Sequence, residues 1–321
     1  MKKTKIIVWS IVTLVLIALL VLLFCLPGIS PINIIAGWSY RYADADSYTA
    51  GSGDFPADGI TSLDIDWVEG SVHLLPSDDG NIHVEETSLL SLDKPENRVH
   101  TRLSNGTLTV KYAKSGKLQA GMKKTLTVRV PASLHLVSLK VTTVSASLDV
   151  RGAASEKVSL STTSGDIRIE GTNANTFEAD TTSGSVALSN VTCRALDVDT
   201  TSGDMMLDGI SCETLLSDST SGSLRFEGKA ITVHADTTSG SVRLVPDATV
   251  ITEIDVDSTS GDVTVVLPVG AGFAASLDSV SGDFSGNFDA RADGGIYVYG
   301  DGKISISVDS VSGNLRIERA R

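Results

Sequence analysis

Aspartate recurs at one position of a short repeated motif and is the most prominent candidate for chemistry in this sequence. It stands three residues before a Ser-Gly pair in Asp180, Asp199, Asp218, Asp236, Asp257 and Asp278, and again in Asp309. Carboxylates repeated at a fixed spacing suit hard cations such as Ca²⁺, which prefers oxygen ligands. A row of solvated acidic side chains with no ligand is the alternative interpretation.

The aspartates belong to a repeat that runs through the second half of the chain. The serines of the Ser-Gly pairs stand at positions 164, 183, 202, 221, 239, 260, 281 and 312, with Ser145 before them at the same period. A fixed period near 20 residues is typical of a solenoid, in which each repeat forms one coil.

Apolar residues occupy constant positions around each motif serine. Counting from Ser202, Leu196 and Val198 precede it and Met205 and Leu207 follow it, and the same columns recur in the neighbouring repeats. Alternation within a strand and recurrence between strands are what a parallel solenoid core requires. We therefore predict an all-β fold: a single-stranded parallel β-solenoid, or β-helix, of about 19-residue coils.

The remaining motif residues predict the turn between the two strands of a coil. Thr200 and Ser202 have the parity of the core, so we expect them to point inward as part of a ladder of hydroxyl groups. Gly203 is expected to adopt a backbone angle that other residues resist. The first aspartate is expected to point outward, and it is the one residue of the motif left as a functional candidate.

The ends of the array depart from the period. Residues 60–132 contain a first coil and an Asn105-Gly106 hairpin signal, and they predict an antiparallel N-terminal cap. Residues 133–321 hold the solenoid repeats, an insertion after Ser281 and a C-terminal cap. Such caps protect exposed strand edges from aggregation.

The N-terminus predicts a membrane anchor. Residues 1–5 are a basic stub, residues 6–27 an apolar transmembrane helix and residues 28–59 a flexible linker. Basic residues before the apolar segment predict a cytoplasmic N-terminus and an extracytoplasmic body at the cell membrane. A cleaved signal peptide is the alternative. Trp38, Tyr40 and Tyr42 are expected either at the membrane interface or packed on the first strands.

Charge and histidine spacing limit the possible ligands. The net charge is −13, and the body after the basic stub is more acidic still, which argues against binding to nucleic acid. The five histidines are scattered without the spacing of zinc ligands.

Two cysteines share one position of the repeat. Cys193 and Cys212 are 19 residues apart, so adjacent coils would place their Cα atoms within disulfide range. A disulfide between them is one prediction, and two buried thiols are the other.

The sequence resembles a bacterial "putative adhesin" β-solenoid family of unknown function that includes LiaG-like envelope proteins. The resemblance lies in Leu63-Asp64-Ile65-Asp66-Trp67, Gly70-Ser71-Val72, Val128-Arg129-Val130-Pro131 and the Ser-Gly-Asp repeats, over residues 60–319. It implies a non-enzymatic surface or envelope protein and brings no catalytic residues.

These observations predict a non-catalytic, adhesin-like or cell-envelope interaction protein. Its partners would be the membrane, through residues 6–27, and an envelope protein or a wall or surface polymer. We expect no cofactor other than Ca²⁺ on the aspartate row. A carbohydrate-active β-helix enzyme that uses the aspartates and a surface scaffold that assembles end to end are the alternatives.

Overall fold

A computed structural model describes residues 39–119 and 121–320. Its β-strands form one continuous sheet of 26 strands and a separate pair. In each coil, one strand precedes the Ser-Gly turn and one follows it. We call these two sets the leading and the trailing half-sheet, and their apolar side chains face each other across the core.

The strands of the leading half-sheet are β7 (Thr107–Lys111), β11 (Ala154–Thr162), β13 (Asn173–Thr181), β15 (Ala195–Thr200), β17 (Thr214–Ser219), β19 (Thr232–Thr237), β21 (Glu253–Ser258), β23 (Phe273–Ser279) and β27 (Ile304–Ser310). Those of the trailing half-sheet are β9 (Lys124–Pro131), β12 (Ile167–Glu170), β14 (Val186–Ser189), β16 (Met205–Ser211), β18 (Leu224–Lys229), β20 (Val242–Pro246), β22 (Val263–Leu267), β24 (Phe284–Gly286) and β28 (Leu315–Arg319). Two long strands, β4 (Ser62–Ser77) and β10 (Leu136–Arg151), belong to both.

The remaining strands are antiparallel and lie at the ends of the stack. They are β1 (Ser39–Tyr40), β2 (Thr49–Ala50), β3 (Gly53–Pro56), β5 (Asn81–Ser88), β6 (His100–Ser104), β8 (Gly116–Lys117), β25 (Arg291–Asp293) and β26 (Ile296–Tyr299). Two short 3-10 helices span Ala45–Ser47 and Pro95–Asn97. Within residues 39–119 and 121–320, no helix is long and apolar enough to cross a membrane.

Parallel pairing in register stacks the apolar columns. Leu196 pairs with Phe177 on one side and Leu215 on the other, and all three side chains are buried. In the trailing half-sheet, Leu207 lies between Leu188 and Phe226 in the same way. Each coil buries a few apolar side chains, and stacking joins them into one core. The predicted columns are therefore present in the structure.

The order of coils at the C-terminal end differs from the order in the sequence. Strand β27 lies between β21 and β23, so the last coil of the chain stacks inside the coil before it. The hairpin β25–β26 covers the outer edge of β23 through antiparallel pairing of β26. After this hairpin the chain returns to the inner side of β23 and forms β27. The hairpin itself covers the outer edge of β23, which another parallel coil would leave open.

The N-terminal end is built by the same principle. The early strand β4 lies inside, between β10 and an outer coil formed by β7 and β9. Antiparallel strands β6 and β5 then cover β7 and β9. Antiparallel strands thus cover both half-sheets at the N-terminal end, whereas at the C-terminal end they cover the leading half-sheet and β24 pairs only with β28.

The prediction of a flexible linker is wrong for the described part of residues 28–59. Strands β2 and β3 pair with β6 and β5 in the cap. Tyr40 donates from its hydroxyl to the carbonyl of Asp66 at 3.2 Å, and its ring lies 5.4 Å from that of Tyr42. Aromatic burial and backbone pairing fix this segment, which favours the packed interpretation of both tyrosines. Trp38, the stub at 1–5 and the apolar segment at 6–27 lie outside the described residues.

Cys193 and Cys212 are buried and are present as free thiols, and the disulfide that their spacing allows stays a prediction. They lie on neighbouring coils, because the preceding residues Thr192 and Ser211 form a parallel bridge. Burial raises the pKa of each thiol to about 12, which keeps both protonated and poorly reactive at neutral pH.

Candidate functional site: an aspartate stripe on the leading half-sheet

The motif aspartates form one continuous stripe across seven coils. Register pairing joins neighbouring members directly, in the order Asp180, Asp199, Asp218, Asp236, Asp257, Asp309 and Asp278. Each is half-buried or exposed on the outer surface of the leading half-sheet. The structure thus unites all the predicted site residues. It also inserts Asp309 between Asp257 and Asp278, which the sequence order did not predict.

The turn that follows each aspartate is fixed by a threonine or serine. Thr200 Oγ1 accepts a hydrogen bond from the backbone N–H of Gly203 at 2.9 Å. The same bond, at 2.6 to 3.0 Å, recurs in the other turns from Thr162 to Ser310. A side-chain oxygen that binds an amide three residues later stabilises a local turn. The hydroxyl column therefore acts mainly within each coil.

The motif glycine is needed for close packing, and the predicted need for an unusual backbone angle is wrong. Gly165, Gly184 and Gly203 are absent from the residues with positive φ. A Cβ atom on Gly203 would lie 1.7 Å from the carbonyl oxygen of Gly184, and the other motif glycines are similarly crowded. The glycines of successive coils stack against one another, and a side chain would force the coils apart.

The prediction that the motif serine points inward is also wrong. Ser202 is exposed, whereas Gly203 and Thr200 are buried. The tight turn shifts the alternation by one residue, so glycine takes the inner position. The serine hydroxyl donates to the preceding coil, as Ser202 Oγ does to the carbonyl of Thr182 at 3.3 Å.

A second acidic position follows the glycine and has a structural role. The carboxylate of Asp204 accepts a hydrogen bond from the backbone N–H of Ser223 in the next coil at 3.0 Å. Asp166 and Asp262 receive the same bond from Ser185 and Asn314. These acids bind the next coil. In the sequence, the alternation of aspartate with serine at this position was the available signal of their structural role.

Electrostatics distinguish the stripe from ordinary surface acids. Burial, followed by the charges of Asp197, Asp218 and Asp180, raises the pKa of Asp199 to about 6. Burial, followed by Asp218, Asp257 and Asp255, raises the pKa of Asp236 to about 6. The pKa values of Asp180, Asp197 and Asp218 are raised as well, first by burial. The fold therefore disfavours the charged form of these carboxylates, mainly by burial and for four of the five also by the charge of neighbouring acids.

The stripe is linear and does not converge on one point. Aspartates on neighbouring parallel strands lie about 4.8 Å apart along the stack. Among the described residues, no group of three or more His, Cys, Asp and Glu side chains is placed to hold a metal ion. Binding of Ca²⁺ by the aspartate row stays a prediction. An open depression of about 390 Å³, lined by Ser47, Phe55 and Arg102, lies in the N-terminal cap, away from the stripe.

A buried ion pair that sequence reasoning missed lies in the N-terminal cap. Lys124 Nζ contacts Glu86 Oε2 at 2.9 Å, and both side chains are almost completely buried. The ammonium lies 4.9 Å from the ring centroid of Trp67 and 4.3 Å from that of Tyr112. It also donates to the carbonyl oxygen of Asn97 at 2.9 Å. This network joins the outer coil to its antiparallel cover.

Comparison with known proteins gives one family. The family model described as Toastrack DUF4097 matches residues 60–318. No curated protein matches the chain.

Solved structures resemble the chain at low sequence identity. A "putative lipid binding protein" from Parabacteroides distasonis is 14% identical, with a TM-score of 0.50, over 85% of this chain and 97% of that one. A "putative adhesin" from Bacteroides fragilis is 16% identical, with a TM-score of 0.44, over 83% of this chain and 95% of that one. A "putative adhesin" from Parabacteroides distasonis is 15% identical, with a TM-score of 0.41, over 84% and 96%. At these identities the likeness concerns the fold alone.

Proposed function

The chain belongs to the Toastrack DUF4097 family, and from this premise we propose that it is a membrane-anchored, extracytoplasmic, adhesin-like protein that binds a partner without catalysis. The membership confirms the family resemblance seen in the sequence. We assign the aspartate stripe as the surface that binds the partner, which we propose to be a cationic envelope protein or surface polymer.

The register of the stripe is the observation that carries this proposal. Seven aspartates lie in line on an outer surface, and five acids in and beside that line have raised pKa values. A partner that presents positive charge would relieve their mutual repulsion and would be attracted from a distance. Neutral or anionic partners would gain nothing from such a surface.

The form of the surface supports binding rather than catalysis. The stripe runs across consecutive strands of an outer half-sheet, where a rigid scaffold suits an extended partner. Enzymes on polysaccharides usually enclose their substrate in a cleft. Antiparallel strands cover both half-sheets at the N-terminal end and the leading half-sheet at the C-terminal end, and this cover opposes end-to-end assembly.

The proposals of a membrane anchor and of an extracytoplasmic location are based on the sequence. Residues 6–27 are long and apolar enough for a bilayer, and the basic residues Lys2, Lys3 and Lys5 precede them. Protease added to intact spheroplasts tests the location. We expect the body after residue 27 to be digested from outside and the protein to resist extraction by alkaline carbonate.

Binding to charged surfaces tests the partner class. The full chain in vesicles should bind immobilised polylysine more strongly than a neutral polysaccharide. The variant with Asp199→Asn, Asp218→Asn and Asp236→Asn should lose most of this binding. A matched control carries Glu170→Gln, Asp208→Asn and Glu227→Gln on the trailing half-sheet and should retain it.

Two results would contradict the proposal. Equal binding by the two triple variants would show that the stripe does not recognise the partner. Hydrolysis of a polysaccharide that is lost in Asp199→Ala would show that the protein is an enzyme.

A further inference from the structure

Three segments of the N-terminal cap meet at one corner of the stack. They are residues 88–98, residues 113–119 with 121–123, and residues 39–42, and together we call them the basic loop surface. Ser88 Oγ donates to the carbonyl of Lys123 at 3.2 Å, and Asn97 Nδ2 donates to Gln119 Oε1 at 2.9 Å. Strand β1 joins them through its pairing with β8. Hydrogen bonds thus hold these loops together.

Two leucines project from this corner into solvent. Leu89 is fully exposed at 102% of its reference area, and Leu90 is 41% exposed. The loop behind them is fixed, because Ser88 Oγ accepts from the N–H of Leu90 and Arg98 Nε donates to the carbonyl of Leu92. Two adjacent apolar side chains on a fixed, exposed loop form a small apolar patch, a feature that can serve a contact with a protein or a membrane.

Basic side chains outnumber acidic ones on the same three segments. The exposed basic side chains of the basic loop surface are Arg41, Lys94, Arg98, Lys114, Lys117 and Lys123. The same segments contribute two acids, Asp93 and Glu96. Lys114 and Lys123 also contact Asp46 and Glu69 on neighbouring segments. The surface remains positive, in a protein whose overall charge is −13.

The excess of acidic side chains lies mainly in the second half of the chain. Residues 161–321 have 24 acidic and 10 basic side chains, whereas residues 39–160 have 15 and 13. The net charge is therefore −14 for residues 161–321 (10 − 24) and −2 for residues 39–160 (13 − 15), so an anionic surface would repel the solenoid much more strongly than the N-terminal part. Electrostatics alone would orient the molecule with the basic loop surface toward such a surface.

The chain itself brings this corner close to a bilayer. Ser39 is held at the basic loop surface by pairing with Lys117. Eleven residues separate it from Pro27, where the predicted membrane segment ends. Fully extended, they reach at most about 40 Å. Of all the described surface, the corner next to Ser39 is therefore tethered closest to the membrane.

We propose that the basic loop surface docks on anionic phospholipid headgroups, with Leu89 and Leu90 inserted at the bilayer interface. This inference rests on the proposed anchoring of the chain. Lysine and arginine near an anionic leaflet bind its headgroups, and short apolar side chains strengthen the contact. Docking holds the solenoid upright, with the aspartate stripe on coils directed away from the bilayer.

A probe at position 89 tests the contact. The full chain with Cys25→Ser and Leu89→Cys carries an environment-sensitive dye and is reconstituted in vesicles that contain doxyl-labelled phospholipid. The buried Cys193 and Cys212 are shielded from labelling. Strong quenching is expected with phosphatidylglycerol present, and weaker quenching in pure phosphatidylcholine or at high salt. The matched control places the dye at Val280→Cys, which is 79% exposed at the other end of the stack, and should show none.

Charge variants test recognition of the headgroups. Lys117→Gln and Lys123→Gln should each weaken the contact by roughly fivefold, as expected for one lysine near an anionic leaflet. Lys303→Gln removes an exposed lysine from the C-terminal cap and should have no effect. These exposed positions leave the core intact, which an unchanged melting temperature would verify.

Several results would overturn the inference. Quenching at position 89 no stronger than at position 280 would exclude insertion. Equal quenching in neutral and anionic vesicles would exclude headgroup recognition. A dye shift caused by a soluble anionic polymer, without quenching by lipid, would identify a polymer site instead.

Anchoring is measured separately by carbonate extraction of the same vesicles. A protein that is retained but not quenched at position 89 keeps its proposed anchor and loses the docking surface. For a protein that carbonate removes, quenching on addition of anionic vesicles would still support docking, and its absence would overturn it.

Discussion

Gly203 lies directly against Gly184 of the preceding coil, with one of its Cα hydrogens directed at the Gly184 carbonyl group. A Cβ atom there would approach the Gly184 oxygen to 1.7 Å and its carbonyl carbon to 2.4 Å. Neither atom can move without breaking the stack, because both belong to the backbone. This contact, repeated along the array, explains why each turn contains glycine.

Gly203→Ala should therefore destabilise the protein by about 3 kcal/mol or more, as severe overpacking does. Denaturant unfolding monitored by circular dichroism measures the loss. Gly270→Ala is the control, because no atom lies within 4 Å of the Cβ position there. Similar stability of the two variants would show that the coils separate more easily than the structure indicates.

Thr200→Val should cost about 1 to 2 kcal/mol of unfolding free energy. Valine keeps the shape but removes the oxygen that accepts the buried N–H of Gly203 at 2.9 Å. Thr200→Ser should restore most of the stability, since Ser219 makes the same bond at 2.7 Å in the next coil. If the Val variant were as stable as the Ser variant, the hydrogen bond to Gly203 would not contribute to the stability of the turn.

The aspartate stripe should make stability fall as pH rises from about 4 to about 6. Asp199 and Asp236 have folded-state pKa values of about 6, above the ordinary value of 3.8. The folded state therefore holds protons that the unfolded state has released in this window, and deprotonation at higher pH weakens folding. Thermal unfolding across this pH range measures the slope.

Asp199→Asn should raise stability at pH 7 by about 0.5 kcal/mol, a small value because solvent screens these half-exposed groups. The gain should vanish near pH 4, where the native carboxyl is also neutral. Asparagine retains the oxygen that accepts the N–H of Asp218. Asp208→Asn, on the exposed trailing half-sheet, is the control, and an equal gain there would indicate a general effect of net charge.

Lys124→Met should destabilise the N-terminal cap by about 3 to 5 kcal/mol, because it leaves Glu86 buried and without its cation. Hydrogen exchange is the suitable measurement, since stacked coils need not unfold together. We expect faster exchange in β5 and β9 and little change beyond β15. Lys123→Met, at an exposed neighbour, is the control.

A double variant Lys124→Met, Glu86→Met separates charge from packing. It removes both ions, so it should recover part of the stability that Lys124→Met loses. No recovery would mean that the bonds from Lys124 to backbone carbonyls carry the effect.

The interior of the array could be predicted from the sequence, and the ends could not. Leu196 and Leu215 were assigned to one column, and the structure pairs them, because a constant period keeps equivalent residues in register. The positions of β4 and β27 inside their neighbouring coils have no such signal. These positions depend on which strand edge each antiparallel hairpin covers, and the possible edges belong to segments that are far apart in the chain.

The candidate site shows the same division. The outward direction of Asp199 follows from strand alternation alone. The exposed position of Ser202 and the close packing of Gly203 depend on how the turn contacts the preceding coil. Alternation ceases to apply where a strand ends, so parity assigned these two residues wrongly.

The amino-acid sequence alone determined the all-β repeat, the apolar columns and the membership of the stripe, since each follows from period and residue type. Tertiary structure decided the order of the end coils, which places Asp309 between Asp257 and Asp278. It also decided the raised pKa values and the hydrogen bonds that join the loop of Leu89 to the segments of Gln119 and Lys123. These properties arise between segments that are far apart in the chain. The distance between such segments and the burial of their side chains set the interaction energy, and the local sequence pattern predicts neither.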